Sequence, residues 1–167
     1  MLVREMSQQE CKELLARLGF GRLACAQENR PYIVPIYFAS EPDRLYGFAT
    51  MGQKIEWMRS NPIVCVEVDE VRSSIDWVSV VVTGRYEELP ETDEYVKQRE
   101  RAEALLGKRS LWWEAGLAAA QARGKFDRDR AVLYCIHLEE ITGRCASPDP
   151  AEASPHPAEA SPHPART

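Results

Sequence analysis

The sequence has no long apolar run and no excess of positive charge. No segment approaches the roughly 18 consecutive apolar residues that a membrane-spanning helix needs, and the first residues, MLVREM, lack the apolar stretch of a signal peptide. Lys and Arg number 21 against 26 Asp and Glu, which gives a net charge of -5 and no broad basic surface for a nucleic-acid backbone. We therefore expect a cytoplasmic protein that binds neither membranes nor nucleic acid.

The cysteines and histidines lack the spacing of a metal motif. The five cysteines are odd in number and include no C-x-x-C pair. Four of them lie in apolar periodic segments, so we interpret them as buried packing thiols, with a reactive cysteine as the alternative. His137 lies within an apolar strand pattern and is interpreted as a satisfied core or edge histidine. We predict no metal site.

The composition changes abruptly after Arg144, where the heptapeptide AEASPHP at residues 151–157 is repeated at 158–164. A segment rich in Pro, Ala and Ser cannot bury enough apolar surface to offset its ordering entropy. We therefore predict one folded domain over residues 1–144 and a disordered or extended tail over residues 145–167. Its two histidines, His156 and His163, could bind a metal ion, but an extended linker is the favoured interpretation.

The folded part alternates short strand patterns with helices. A capping box at Ser7 and Glu10 begins the first helix, which Gly19 ends. Six strands with helices between them favour a small antiparallel barrel, because closing the sheet removes its exposed edges. The predicted strands are residues 21–26, 32–39, 44–50, 63–68, 77–88 and 131–142, and the later helices are 53–60, 90–106 and 111–123.

The junction between the third strand and the second helix carries groups that bind phosphate. Thr50 supplies a hydroxyl, Gly52 lets a backbone N–H approach closely, and Lys54 supplies a positive charge beside the free amides of a helix start. The Walker spacing is absent. Phosphate binding and a solvated helix start are both compatible with this pattern.

Pro35 interrupts an otherwise strong strand pattern. It denies the ladder one N–H and marks an edge or a break. Backbone groups freed at such a break would suit the carbonyls and nitrogens of a flat heterocycle. An edge strand with a bulge is the alternative.

Taken together, these segments resemble the split-barrel flavoproteins related to pyridoxamine 5'-phosphate oxidase. The similarity covers residues 1–144 and is closest to the small bacterial branch that includes the nitroimidazole-resistance proteins. The order and spacing of several short pieces carry it: GRLA at 21–24, PYIVP at 31–35, GQK at 52–54, NP at 61–62 and SVVVTG at 79–84.

The resemblance implies a mainly β protein with inserted helices, a six-stranded antiparallel split β-barrel that forms a homodimer with FMN in the cleft between subunits. It also implies the cofactor contacts. Lys54 and the turn from Thr50 to Gly52 match the phosphate segment, and Ser79 matches a polar contact. The remaining matches lie along and beside the isoalloxazine ring: Tyr32, Val34, Pro35, Ile36, Phe48 and Ala49.

The resemblance favours an FMN-dependent oxidoreductase with a small-molecule electron donor or acceptor. No side chain stands out as a catalytic acid or base. The alternatives are a non-catalytic flavin carrier or redox sensor, and a barrel that binds haem or deazaflavin. The activity is expected to be nitroreductase- or flavin-reductase-like, although the segment GFAT at 47–50 lacks the histidine near the flavin of many relatives, which disfavours nitroreduction by that route. Vitamin B6 oxidation is disfavoured, because the chain lacks a Trp- and Arg-rich C-terminal segment. Trp112 and Trp113 are predicted either to cover the partner's flavin or to pack within their helix.

Overall fold

The computed structural model of the protein describes residues 1–108 and 131–148, which form one antiparallel sheet and three helices. Within these residues no helix is long and apolar enough to cross a membrane. The predicted helix at 111–123, Trp112 and Trp113, and the repeated heptapeptide lie outside the described residues. The elements in chain order are β1 (Leu2–Glu5), α1 (Gln8–Leu18), β2 (Phe20–Gln27), β3 (Arg30–Glu41), β4 (Arg44–Thr50), α2 (Gln53–Ser60), β5 (Ile63–Ser73), β6 (Asp76–Glu88), α3 (Val96–Leu106) and β7 (Ala131–Ser147).

Six of the strands close into a ring. The order β7-β4-β3-β2-β5-β6 is completed by a second pairing between β6 and β7, and every pair is antiparallel. The inward side chains form the main hydrophobic core, in which Leu23, Val66, Val80 and Val82 are fully buried. The predicted six-stranded antiparallel barrel is therefore confirmed.

The described sheet has a seventh strand that the sequence did not predict. β1 pairs with the far end of β7, where Leu2 lies opposite Ser147 and Glu5 opposite Arg144. Its four residues are all exposed, so it has no apolar alternation from which a strand is predicted. It forms because β7 continues three residues beyond residue 144, the predicted end of the domain.

Two other predicted bounds differ from the structure by more than two residues. β5 extends to Ser73 because it forms a tight hairpin with β6, which begins at Asp76. The helix predicted over residues 90–106 begins only at Val96. Consecutive turns occupy the start of that range, with the Thr92 N–H donating to the Pro90 carbonyl and the Tyr95 N–H to the Thr92 carbonyl.

The N-terminal helix α1 follows its sequence signals. The Ser7 side chain accepts from the Glu10 N–H, and the Glu10 carboxylate accepts from the Ser7 N–H at 2.8 Å. Gly19 ends the helix in the left-handed region at φ 62°, where a side chain would be strained. The buried stripe of Cys11, Leu14 and Leu15 then packs into the barrel core.

The ring is split between β3 and β4. Their ladder is short and joins only residues 38–41 to residues 44–47. Outside this ladder, residues 30–37 of β3 pair with β2 alone among the described strands, and residues 48–50 of β4 pair with β7 alone. Helix α2 follows directly and buries Ile55 and Met58 completely in the core. The split leaves an open strand edge beside the start of a helix.

Candidate functional site

The start of α2 places three of the predicted residues together at the split. Thr50 ends β4 and is exposed, Gly52 is the residue before the helix, and Lys54 lies in its first turn. The Gly52 carbonyl accepts from the N–H groups of Ile55 and Glu56 at 2.9 and 3.1 Å. Gly52 has no side chain with which to cap the helix, so the Gln53 and Lys54 N–H groups have no hydrogen-bond partner among the described residues. We define this segment, Thr50 to Lys54, as the phosphate turn.

Lys54 combines partial burial with the absence of an ion pair among the described residues. It is half-buried, yet no carboxylate within residues 1–108 and 131–148 forms an ion pair with it. Burial lowers the pKa of its ammonium group, and the nearby Cys25 thiol opposes this shift only in part. By contrast, ten arginines pair with carboxylates: Arg4, Arg17, Arg22, Arg44, Arg59, Arg72, Arg85, Arg99, Arg101 and Arg144.

The inner side of the split is lined by aromatic and aliphatic side chains. Tyr32 and Val34 on β3 are half-buried and pack against the core. The Tyr32 ring meets Trp57 of α2 edge to face, with ring centroids 5.6 Å apart. Trp57 was not among the predicted site residues. Its position three residues after Lys54, on the same helical face, is the signal that would have identified it.

Of the predicted ring contacts, two can act only through their backbone. The side chains of Ile36 and Ala49 are 4% and 6% exposed and belong to the core. Pro35 and Phe48 are more accessible, since Pro35 is exposed and Phe48 is half-buried. Pro35 lies opposite Arg22 on β2, in the part of β3 that has one strand neighbour. The prediction that Pro35 marks a strand edge is confirmed.

Ser79 lies on β6, away from the phosphate turn but on the same outer face of the sheet as Pro35. Its hydroxyl donates to Glu67 Oε1 at 3.1 Å. It lines a cavity of about 620 Å³ with Trp77, Gln8 and Arg144. The other nine predicted residues, all within the described part of the chain, lie on β3, on β4, on α2 or, for Gly52, in the turn between β4 and α2.

The positions of the phosphate turn and of Ser79 can be compared along strand β7, which pairs with both. It pairs with Thr50 at Ala131 and with Ser79 at Arg144. These positions are near the two ends of the strand and are joined by roughly 40 Å of extended chain at about 3.3 Å per residue. Ser79 and the phosphate turn therefore lie at opposite ends of β7.

A closed six-strand ring with one short ladder defines the fold as a split β-barrel. Residues 7–145 match the family of pyridoxamine 5'-phosphate oxidase. The chain belongs to this family, as the sequence resemblance predicted.

Similar proteins cover nearly the whole described domain. An uncharacterized protein of Rhizobium meliloti is 44% identical over 146 residues, which are 87% of this chain and 97% of the relative. An FAD-binding protein of Mesorhizobium loti, known from a crystal structure, is 46% identical, with a TM-score of 0.73 over 88% of this chain and 100% of its own. A proposed 5-nitroimidazole antibiotic resistance protein of Bacteroides thetaiotaomicron shares the fold at 17% identity, with a TM-score of 0.61 over 87% and 89% of the two chains.

Proposed function

We propose that this protein binds FMN with the phosphate on the phosphate turn, and that it is an FMN-dependent oxidoreductase. The observation that carries the proposal is the half-buried Lys54 ammonium, which has no carboxylate partner in the described chain. Burying a charge costs free energy unless it is paired. A phosphate beside Lys54 would supply the pairing charge, the Thr50 hydroxyl would donate to it, and the free amides of α2 would point at it.

The split provides a place for the isoalloxazine ring. Within residues 30–36, the backbone groups on the edge away from β2 have no strand partner among the described residues. Such groups suit the alternating carbonyls and nitrogens of a flavin. Tyr32 and Phe48 add aromatic surface on either side of the split.

FAD is a second candidate ligand, favoured by the name of the Mesorhizobium loti relative at 46% identity. FMN and FAD share the riboflavin 5'-phosphate unit, so the phosphate turn would contact the same group in both. The adenylate half of FAD would need further surface beyond this turn. FMN is the smaller of the two ligands that would place a phosphate beside the Lys54 ammonium group.

A homodimer would complete the site. The outer faces of β3, β5 and β6 carry apolar side chains, since Ile33, Ile63 and Val81 are 64%, 39% and 38% exposed. Their register places them on one side of the sheet, together with Pro35. We define these four residues as the apolar face. The Arg22–Glu67 ion pair lies between Pro35 and Val81 on this face, and exposed apolar side chains beside polar ones are typical of an interaction surface.

Two-fold symmetry explains the position of Ser79. Its cavity lies at the far end of β7 from the phosphate turn, and a second chain would bring its own Ser79 within reach of a flavin on the first. A two-fold axis through the apolar face would produce two equivalent sites, each built from both chains.

The proposed activity requires little acid or base chemistry from the protein. A bound flavin supplies hydride and electron transfer, while the protein orients the ring and admits a small-molecule donor or acceptor. The same residues would also serve a flavin carrier or redox sensor, which binds without turnover.

The decisive experiment begins with the absorbance spectrum of purified full-length protein, followed by heat release and mass analysis of the pigment. We expect FMN, and rapid bleaching on anaerobic addition of NADH or NADPH. Release of FAD instead of FMN would mean that FAD is the ligand. A bound flavin that neither NADH nor NADPH bleaches would favour a flavin carrier. Protein that neither copurifies with nor takes up a flavin, or that holds haem or deazaflavin, would overturn the proposal.

A further inference from the structure

A second cluster of reactive side chains lies on the outer side of the barrel wall, where β6 and β7 meet. Cys135 and His137 are two residues apart on β7, so both point to the same face of the sheet. Glu87 on β6 lies directly opposite Cys135. Cys135 is fully buried in the small outer core formed with Tyr46, Leu89, Ala102 and Leu133.

The three side chains already converge on one point. His137 Nε2 is 2.6 Å from Glu87 Oε2 and 3.4 Å from Cys135 Sγ, and Cys135 Sγ is 3.6 Å from the same carboxylate oxygen. All three ligand atoms lie within 4.8 Å of one another. This arrangement does not involve the phosphate turn or the cavity at Ser79.

We propose that Glu87, Cys135 and His137 bind a single Zn²⁺ ion. Thiolate, imidazole and carboxylate are the three ligand types that zinc prefers in proteins. With zinc bonds of about 2.0 to 2.3 Å, tetrahedral ligand atoms lie about 3.3 to 3.6 Å apart. The two distances to Cys135 Sγ match this spacing, and only the distance between His137 and Glu87 must widen, by about 0.7 Å.

The half-exposed ligands allow that adjustment and an entry path. The side chains of His137 and Glu87 are 37% and 35% exposed, so both have room to rotate. A water molecule would complete four-coordination on this exposed side. The buried Cys135 thiol lies on the inner side, where solvent does not compete with it.

Neighbouring residues orient the ligands as outer hydrogen-bond partners commonly do at zinc sites. The Tyr95 hydroxyl donates to Glu87 Oε1 at 3.0 Å, which leaves Oε2 for the metal. Gln98 Nε2 approaches Cys135 Sγ at 3.7 Å. The nearby Arg44 guanidinium donates to the Asp43 carboxylate at 2.6 Å, so its positive charge is offset.

The position of the cluster indicates what the ion would do. The pairing of β6 with β7 closes the ring, and its register shifts between Thr83 and Gly84. Zinc held by Glu87 and by two residues of β7 would join the two strands at this seam. Tyr95 immediately precedes α3 and Gln98 lies within it, so the ion would also fix that helix on the barrel.

Cobalt substitution of the full-length protein is the direct test. We expect metal-free protein to bind one equivalent of Co²⁺, with a sulfur-to-metal charge-transfer band and intense visible bands of a four-coordinate site. Zn²⁺ should displace the Co²⁺. Cys135→Ser should abolish the charge-transfer band and weaken Zn²⁺ binding, measured against a chromogenic chelator, by more than roughly 100-fold. Tyr95→Phe, which removes one orienting bond, should weaken it roughly 10-fold.

Matched controls separate this cluster from other cysteines and histidines. Cys145→Ser, on the same strand, and the double variant His156→Ala with His163→Ala should keep the band. A wild-type protein without the band, a band that survives Cys135→Ser, or binding lost with the two C-terminal histidines would overturn the proposal. If Cys135→Ser does not fold by circular dichroism, Glu87→Gln keeps the side-chain volume and should still lower the affinity. Unchanged affinity there would equally overturn it.

Discussion

The Tyr134 ring occupies the space that a side chain at Gly47 would need. The two residues are direct partners across the β4 and β7 ladder, and a Cβ added at Gly47 would lie 2.7 Å from Cε2 of that ring and nearer still to its hydroxyl end. Tyr134 is 1% exposed. Its hydroxyl has no hydrogen-bond partner among the described residues.

This relationship predicts that Gly47→Ala destabilises the protein by about 1 to 3 kcal/mol, the usual cost of overpacking a core. Tyr134→Phe is the matched comparison. It removes a buried, unpaired hydroxyl, so we expect a change between zero and a stabilisation of about 1 kcal/mol. Urea unfolding midpoints measure both. A Gly47→Ala protein as stable as wild type would show that Tyr134 moves aside at little cost.

Adding Tyr134→Phe to Gly47→Ala should recover only part of the lost stability, because it removes the hydroxyl oxygen but keeps Cζ, the ring atom closest to the added Cβ. The two residues are in contact, so their effects should not be additive. Additive effects would indicate that the alanine is accommodated by backbone movement.

The sequence was most informative where local chemistry determines the structure. The capping box of Ser7 and Glu10, the bounds of β4 and α2, and the edge position of Pro35 were all predicted and confirmed. In each case the signal is contained within a few neighbouring residues. Strand β1 was missed because it depends on the distant end of β7.

The candidate sites show the same contrast between local sequence signals and contacts between distant residues. The phosphate turn is continuous in sequence, so Thr50, Gly52 and Lys54 could be grouped from their spacing along the chain alone. The cluster at Cys135 was missed because Glu87 comes from another strand, and the sequence was interpreted as having no metal site. A cysteine and a histidine two residues apart in a strand pattern were the only local signal.

Lys54 should stabilise the flavin complex and lower the stability of the flavin-free protein. We predict that Lys54→Met lowers flavin affinity by roughly 10- to 150-fold, because a charge-assisted hydrogen bond contributes about 1.5 to 3 kcal/mol. The same change should raise the unfolding midpoint of flavin-free protein, since it removes a half-buried charge. Fluorescence titration and urea unfolding measure the two effects. Lys97→Met on α3 is the control, and it should alter neither.

The pH dependence of flavin affinity follows from the same residue. Burial lowers the pKa of Lys54 below its usual 10.5, so the ammonium loses its proton at a lower pH than a solvated lysine. Flavin affinity should therefore fall as the pH rises through this lowered pKa. In flavin-free protein the sign is opposite: the unfolded chain binds more protons in this range, so stability due to Lys54 rises with pH. Lys54→Met should remove both trends, and a pH profile that it leaves unchanged would contradict this assignment.

Because β7 extends to Ser147, truncation after Pro148 and truncation after Arg144 should have different effects on stability. Ending the chain after Pro148 removes only residues beyond the described barrel, and we expect stability and flavin content to be retained, because that segment lacks large apolar residues. Ending it after Arg144 removes Ala146, which is 3% exposed, and ladder positions to both β1 and β6. We expect that change to cost about 1 to 3 kcal/mol in urea unfolding. Equal stability of the two truncated proteins would mean that the end of β7 contributes little.

The last prediction concerns assembly. If the apolar face joins two chains, Ile33→Glu places a charge at its most exposed apolar position, where Ile33 is 64% accessible in the single chain. Burying an unpaired carboxylate in the interface would cost several kcal/mol, so we expect the dimer dissociation constant to rise at least roughly 100-fold. Val96→Glu, a similar change at a 45% exposed position on α3 rather than on the sheet, is the matched control and should remain dimeric.

Flavin and dimerisation should also be linked, because a ligand held by two chains stabilises their association by mass action. Sedimentation at protein concentrations that span dissociation, with and without added FMN, measures this linkage. We expect FMN to shift wild-type protein toward the dimer, and Ile33→Glu to lose both the dimer and most of its flavin. A wild-type monomer that binds one FMN per chain, with no shift in association, would exclude a shared site. The contact assigned to Ser79 would then be wrong as well, since that residue lies at the far end of β7 from the phosphate turn.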